Sequence, residues 1–206
     1  MTSDRTLNYY EKNSAELCRR YETADVSRVQ KLLGRIFAGR NRLLETGSGS
    51  CRDAVYMMQK GFDVTAIDGS IKINREALTY HPEMAGKIIT HNLTHPLPFK
   101  DKIFDGAYSL ATLMHFNDEN LNIILSEHHR VLKKDSPLVI SVPLERDDLD
   151  TGGRDEQGRF FNIRNAGFWD DIMTDNGFSV KETLESVDGL GREGVRWLTL
   201  VGVRIV

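Results

Sequence analysis

The sequence predicts an α/β fold: a seven-stranded, mostly parallel sheet with one antiparallel strand and helices on both faces. Three observations lead to this prediction. Strand-length apolar segments alternate with segments of helical periodicity, which is the pattern of a parallel sheet covered on both sides. Turn-forming residues follow each of the first four strand segments. The last two strand segments have no helix between them, so they should pair as an antiparallel hairpin.

The first 38 residues are predicted to form a helical cap within a single domain over residues 1–206. Residues 8–21 form a polar helix with Tyr10 and Tyr21 near one face, and residues 25–37 carry apolar side chains at helical spacing. Asp25 is suited to begin this second helix, and Gly39 to end it.

Periodicity and turn residues assign the remaining segments. Strands are predicted at residues 42–46, 62–67, 87–91, 103–109, 138–142, 178–184 and 195–205, and helices at residues 53–60, 70–80, 118–133 and 166–176. Residues 92–99 form a proline-rich loop, and residues 145–165 form a charged, glycine-bearing inserted loop near the substrate site. Ligands of such sheets bind beyond the carboxyl ends of the strands, where most of these loops lie.

Composition limits the classes of function. The 206-residue chain has a net charge of -3, so a nucleic-acid partner is not expected, and no apolar run approaches the roughly 18 residues of a membrane span. Cys18 and Cys51 do not indicate a disulfide framework, which fits a reducing cytoplasm. The small size favours a small-molecule substrate, while monomer and homodimer both remain open.

The first strand turns sharply into a helix after Glu45. Gly47 and Gly49 let the backbone turn and let a ligand approach it closely, and the helix start offers free N–H groups. A dinucleotide fingerprint, G-x-G-x-x-G, would need a third glycine where Arg52 stands, so that alternative is disfavoured. The pattern acid-x-G-x-G-x-small is complete, with Cys51 as its small residue.

This pattern resembles the first motif of class I S-adenosylmethionine-dependent methyltransferases, and the resemblance covers nearly the whole chain. Residues 61–64 (GFDV) and 66–68 (AID) are similar to the second strand of small bacterial methyltransferases of the type 11/25 and tellurite-resistance kinds. Residues 8–11, 158–161 and 196–198 resemble the same group. The chain departs from the pattern at Cys51 (usually glycine), at Asn92 (usually an acid) and at residues 134–136 (often Pro-Gly-Gly).

The resemblance implies a Rossmann-like fold that binds S-adenosyl-L-methionine. Asp68 is expected to accept hydrogen bonds from the ribose hydroxyls, and the Asn92 carbonyl to meet adenine. The expected cofactor-binding residues are Tyr10, Glu45, Gly47, Ser48, Gly49, Arg52, Asp68, Gly69, Ser70, Asn92, Leu93, Ser109 and Leu110. The expected substrate residues are Tyr9, Arg159, Phe161 and Trp197. No metal is expected, since His91 and His95 flank a proline loop and lack a third ligand.

The predicted reaction is methyl transfer to a small acceptor by in-line displacement, in which the protein mainly supplies orientation. A base is needed only where the acceptor is protonated, and His115, just after the fourth strand, is the candidate. Two alternatives remain: a catalytically silent S-adenosylmethionine-binding regulatory protein, and an NAD-dependent oxidoreductase, which Arg52 and the final hairpin disfavour.

Overall fold

The computed structural model describes residues 3–188 and 190–205. The predicted domain and cap also include residues 1, 2, 189 and 206, which lie outside the described residues. The elements, in chain order, are α1 (Ser3–Lys12), α2 (Ser14–Thr23), α3 (Ser27–Ile36), β1 (Arg42–Thr46), α4 (Arg52–Gln59), β2 (Asp63–Asp68), α5 (Ile71–Tyr80), β3 (Ile88–Thr90), β4 (Gly106–Leu110), α6 (Asp118–Val131), β5 (Pro137–Glu145), α7 (Ala166–Asp175), β6 (Phe178–Val187) and β7 (Arg196–Arg204). Short 3-10 turns lie at Pro82–Met84 and Leu113–His115.

The strands form one seven-stranded sheet in the order β3-β2-β1-β4-β5-β7-β6. The pairs from β3 through β5 are parallel, and β7 runs antiparallel to both of its neighbours. The predicted sheet, mostly parallel with one antiparallel strand, is therefore confirmed. The order reverses between β1 and β4, and a ligand crevice is expected beyond the carboxyl ends of these two strands.

Consecutive residues of the central strand point into two separate cores. Leu43 packs in one apolar cluster with Phe37 and Met57, from the side of α3 and α4. Leu44 packs in the other cluster with Leu125 and Trp169, from the side of α6 and α7. Side chains alternate between the faces of a strand, so a strand that is buried on both faces must be apolar at both positions.

Local hydrogen bonds explain where the elements differ from the predicted boundaries. The helix predicted over residues 8–21 is two helices that meet at Asn13, whose backbone dihedrals (φ -115°, ψ 20°) leave the helical range. Its side-chain amide donates to the Tyr9 carbonyl at 2.8 Å. Strands β5 and β6 are longer than predicted, because both stay paired with β7 as far as Arg196. None of the described helices is long and apolar enough to cross a membrane.

Gly106 provides a test of the packing between α3 and the sheet. A Cβ at this position would lie 2.4 Å from the buried ring of Phe37 and 3.2 Å from Leu43. We expect Gly106→Ala to lower the free energy of unfolding in urea by about 1–3 kcal/mol, the usual cost of overpacking a core. Gly34→Ala is the control: nothing lies within 4 Å of its added Cβ, and we expect it to stabilise α3 by roughly 0.5–1 kcal/mol. Equal destabilisation by both changes would contradict this account of the packing.

Candidate active site

A cavity of about 1010 Å³ lies at the carboxyl ends of the central strands, beside the reversal of strand order. Its walls include the turn after β1, the ends of β2 and β4, and the loop after β3. Helices α1 and α2 close it from the other side with Thr6, Leu7, Tyr10 and Tyr21. Its size is at the upper end of the roughly 300–1,000 Å³ range of small-molecule sites.

The turn after β1 depends on three residues with left-handed backbone. Gly47 has φ 72°, Gly49 φ 53° and Cys51 φ 64°, a region that glycine occupies without strain. The amides of Gly47 and Ser48 donate to the Ile67 carbonyl of β2 at 2.7 and 3.0 Å, which fixes the turn to the sheet. Cys51 therefore has a backbone conformation that glycine adopts more easily than any other residue.

Asp68 joins this turn to the start of α5. Its Oδ2 accepts the Gly49 amide at 3.0 Å, and its Oδ1 accepts the Ser70 amide at 2.9 Å. Burial raises the pKa of Asp68 to about 6, although these hydrogen bonds act in the opposite direction. Each carboxylate oxygen has a second lone pair, so Asp68 can still accept hydrogen bonds from the two hydroxyls of a ribose.

Two polar groups in the cavity wall have few partners or none among the described residues. Glu45 is 3% exposed, and the hydroxyl of Tyr108 approaches it at 3.4 Å. Burial, followed by the charge of Asp53, raises the pKa of Glu45 well above its usual value. The Ser48 hydroxyl is buried and has no hydrogen-bond partner within residues 3–188 and 190–205. A buried carboxylate and hydroxyl normally have partners, so this wall fits a ligand that brings a cation and hydrogen-bonding groups.

Asn92 also lines the cavity, but it offers a ligand a hydrogen-bond donor and not the predicted acceptor. Its Oδ1 accepts both the amide and the hydroxyl of Thr94, each at 3.0 Å. The carbonyl oxygen that was expected to meet adenine is thus already engaged in an Asx turn. The side-chain NH₂ group remains for a ligand, beside Leu93, which also lines the cavity.

His115 and Tyr10 form a hydrogen-bonded pair at another end of the cavity. The His115 Nδ1 lies 2.6 Å from the Phe160 carbonyl, and its Nε2 lies 2.8 Å from the Tyr10 hydroxyl. Because a carbonyl can only accept, Nδ1 carries the proton and Nε2 accepts from Tyr10. Burial lowers the pKa of His115 to about 4, so the ring is neutral at pH 7. A second contact joins the same elements, since the Phe160 amide donates to Thr6 of α1 at 3.0 Å.

The inserted loop brings Arg159 and Phe161 to this pair, and β7 contributes Trp197. Arg159 forms a buried salt bridge with Asp155 at 2.5 Å. Its guanidinium lies 5.3 Å from the ring centre of Phe161, which contacts His115 edge-on at 4.8 Å between ring centres. Aromatic rings and a cation therefore surround the Tyr10–His115 pair.

Three predicted site residues do not line the cavity, because each is committed elsewhere. Ser70 is buried and caps α5 by accepting the Ile73 amide at 3.1 Å. Ser109 is buried and donates to the Thr46 carbonyl at 3.0 Å. Tyr9 lies against the Arg159 guanidinium, 4.9 Å from it. The other predicted residues line the cavity: Tyr10, Glu45, Gly47, Ser48, Gly49, Arg52, Asp68, Gly69, Asn92, Leu93, Leu110, His115, Arg159, Phe161 and Trp197.

Thr112 and Tyr21 shape the turn after β1, although the sequence did not single them out as site residues. A Cβ on Gly47 would lie 2.0 Å from the Thr112 hydroxyl oxygen, and one on Gly49 would lie 3.2 Å from the Tyr21 ring. Arg52 lines the cavity, but its guanidinium donates to the Tyr21 carbonyl and pairs with Asp53. Arg52 therefore holds α2 against the turn.

Comparison with known proteins agrees with this geometry. Residues 44–140 match the family model of the methyltransferase domain. No curated protein sequence matches the chain. Among solved structures, 1,6-didemethyltoxoflavin-N1-methyltransferase from Burkholderia thailandensis, with 1,6-didemethyltoxoflavin and S-adenosylhomocysteine bound, superposes with a TM-score of 0.77 at 16% identity, covering 98% of this chain and 88% of that one.

Two further solved structures share the fold. A SAM-dependent methyltransferase from Methanosarcina mazei has a TM-score of 0.72 at 18% identity and covers 85% of this chain and 97% of its own. The geranyl diphosphate C-methyltransferase from Streptomyces coelicolor A3(2) has a TM-score of 0.68 at 14% identity, with 87% and 76% covered. The domain match runs from β1 into β5, and so includes the turn after β1, Asp68 and His115. Residues 44–140 are therefore a methyltransferase domain, in a chain that has the fold of solved S-adenosylmethionine-dependent methyltransferases.

Proposed function

We propose that the protein transfers a methyl group from S-adenosylmethionine to a small-molecule acceptor bound beside Tyr10 and His115. One observation carries the proposal: a single cavity contains both the turn after β1 and the Tyr10–His115 pair. The bound cofactor supplies an activated methyl group on its sulfonium. The remaining task of the protein is to hold the two reactants in line.

The cofactor-binding part of the proposal assigns a separate role to each polar group. Glu45 and Ser48 are assigned to the amino-acid portion, since a buried carboxylate is stabilised by a cation. Asp68 is assigned to the ribose hydroxyls, and Asn92 with Leu93 to adenine. Asn92 would act through its NH₂ donor, because its carbonyl oxygen is held by Thr94.

Where the acceptor carries a proton, we assign its removal to Tyr10 and His115 together. The Tyr10 oxygen accepts the proton while its own hydroxyl proton passes to Nε2 of His115, 2.8 Å away. The Phe160 carbonyl holds the Nδ1–H at 2.6 Å and so keeps the ring oriented. An acceptor that is already ionised at pH 7 needs no base, and His115 then serves to position Tyr10.

The predicted cap and inserted loop have roles in the same proposal. Residues 1–38 and 145–165 are proposed as cap and substrate loop, supported by the cavity-lining positions of Tyr10, Tyr21, Arg159 and Phe161. A relationship to the tellurite-resistance kind of methyltransferase, a cytoplasmic location, and a monomeric or homodimeric state rest on the sequence alone and stay predictions.

Calorimetric titration tests the cofactor. We expect S-adenosylhomocysteine to bind with one-to-one stoichiometry and NAD to give no heat of binding. NAD binding without S-adenosylhomocysteine binding would overturn the proposal.

Transfer of a tritiated methyl group to a panel of phenols, amines, thiols and metalloid oxyanions then tests turnover. For a protonated acceptor, we expect both Tyr10→Phe and His115→Gln to form less product than the unmodified protein. Binding of S-adenosylhomocysteine without transfer to any class of acceptor would instead favour a silent cofactor-binding protein.

A further inference from the structure

The same cavity includes a crevice between α3 and the antiparallel edge of the sheet, here called the α3 crevice. Its floor is one face of β5, β7 and β6. Ser141, Thr199 and Leu184 stand side by side across these three strands, and Trp197 pairs with Ser186 two residues further along the strands. All five line the cavity. They lie on the face whose Val201 packs with α3 and α4, because side chains repeat every second residue.

Helix α3 provides the opposite wall through a second row of apolar side chains. Leu33 and Phe37, about one helical turn further along the chain, are fully buried in the core. Val26, Val29 and Leu32 instead are half-buried and line the cavity. A surface helix normally has one apolar face, which packs in the core. The second apolar row of α3 leaves apolar surface exposed in the crevice wall, as is typical of a binding site. The second row thus indicates an apolar occupant.

The mouth of the α3 crevice carries unpaired positive charge. Arg28 and Lys31 of α3 line the cavity and are exposed, and neither forms a salt bridge with any residue in the described part of the chain. Arg35 pairs with Glu182, and Arg192 pairs with Asp188. Asp25 accepts the amide of Ser27 at the start of the same helix and keeps its negative charge, which also acts on Lys31. The four cations and three acids named here leave one positive charge, which favours an anionic group.

We infer that the methyl acceptor is an elongated anionic amphiphile. Its reactive end lies at Tyr10 and His115, its apolar chain lies in the α3 crevice, and its anionic terminus meets Arg28 and Lys31. This inference rests on the proposed function and names the class of substrate. A compact polar acceptor would leave Val29 and Leu32 facing water, whereas a chain that runs along the crevice buries both.

Intrinsic fluorescence provides a direct test with simple probes. Of the two tryptophans, Trp197 lies in the crevice floor, while Trp169 is fully buried in the opposite core. Protein saturated with S-adenosylhomocysteine is titrated with hexanoate, octanoate, decanoate and dodecanoate, below the concentrations at which they aggregate. We expect the affinity to rise about threefold to fourfold per added methylene, the ratio for burying one CH₂ group. Dodecyltrimethylammonium should bind at least tenfold more weakly than dodecanoate.

Matched variants locate the binding. Val29→Asp places a charge in the crevice wall, and we expect at least tenfold weaker binding of dodecanoate with unchanged affinity for S-adenosylhomocysteine. Ile123→Asp is the control, since Ile123 is 40% exposed on α6 and lies away from the cavity. Lys31→Glu should weaken dodecanoate binding severalfold, while Lys72→Glu on α5 should not.

The outcomes separate this inference from the proposed function. Affinity that does not depend on chain length, or normal binding to Val29→Asp, would overturn the inference, whereas S-adenosylhomocysteine binding together with methyl transfer would leave the proposed function standing. Equal affinity for the cationic and anionic probes would overturn its charged part. A dimer in sedimentation that Val29→Asp dissociates would show that a second copy of the chain, rather than a substrate, covers α3. If the unmodified protein does not bind S-adenosylhomocysteine, the proposed function itself is refuted.

Discussion

Gly47→Ala is expected to weaken S-adenosylhomocysteine binding at least 100-fold, which corresponds to about 2.7 kcal/mol. The added Cβ would lie 2.0 Å from the Thr112 hydroxyl and 2.3 Å from its methyl group, while φ stays near 72°. Overpacking costs roughly 1–3 kcal/mol, and a strained backbone costs a similar amount. The turn can avoid both costs only by changing its position. Because the cofactor binds against this turn in the proposed complex, such a change weakens binding. Calorimetric titration measures the effect.

Two further variants separate the clash from the strained backbone. Gly86 also has positive φ, 79°, but nothing lies within 4 Å of its added Cβ, so Gly86→Ala should reduce stability by about 1 kcal/mol with unchanged cofactor affinity. Thr112→Ala removes the colliding atoms. The double variant Gly47→Ala with Thr112→Ala should recover part of the lost affinity, and additive losses would show that Thr112 is not what the alanine meets.

Cofactor affinity is expected to fall as the pH is lowered through 6, because Asp68 accepts ribose hydroxyls best as a carboxylate. Burial raises the pKa of this carboxyl to about 6 in the free protein. Binding that requires the ionised form should weaken about tenfold per pH unit below that value. Titration of S-adenosylhomocysteine between pH 5 and pH 8 measures the slope.

Asp68→Ala is expected to bind about 5- to 150-fold more weakly at pH 7.5, since about 1–3 kcal/mol follows from leaving polar groups unpaired. It should also lose the Asp68 part of the pH dependence. Asp63→Ala is the control on the same strand, because Asp63 is exposed and pairs with Lys87. Unchanged affinity in Asp68→Ala would refute its role at the ribose.

The raised pKa of Asp68 has the opposite effect on the stability of the free protein, which is favoured by low pH. A carboxyl whose pKa is higher in the folded than in the unfolded state favours folding while it is protonated. The stabilisation from Asp68 is complete below about pH 4 and is lost as the pH rises through about 6. Ionised Asp68 therefore reduces the stability of the free protein at neutral pH, and a ligand that donates hydrogen bonds to it restores part of that loss.

Local sequence signals predicted the sheet and the turn after β1. The alternation of strand-length apolar segments with helical segments indicated a sheet covered on both faces, and the spacing of Gly47 and Gly49 indicated the turn, because these features depend on a few neighbouring residues. Thr94, two residues after Asn92, is a signal for an Asx turn that explains why the adenine acceptor is engaged.

Contacts between distant segments could not be predicted from such local signals. Tyr10 and His115 lie 105 residues apart in the chain, and nothing local to either residue shows that they share a hydrogen bond. The clash at Gly47 likewise depends on Thr112, which a different strand brings into place. The α3 crevice arises because α3 carries two apolar rows and only one enters the core, which helical periodicity alone does not reveal.

The contacts between α1 and the inserted loop have a kinetic consequence. Thr6 holds the Phe160 amide, and Tyr10 holds His115, whose other ring nitrogen holds the Phe160 carbonyl. Helix and loop are thus joined by hydrogen bonds, and neither moves away without breaking them. Each such bond contributes about 1 kcal/mol, so we expect the two segments to separate together, on the microsecond-to-millisecond scale usual for lids. We therefore expect departure of the two products to be coupled to one motion of the chain.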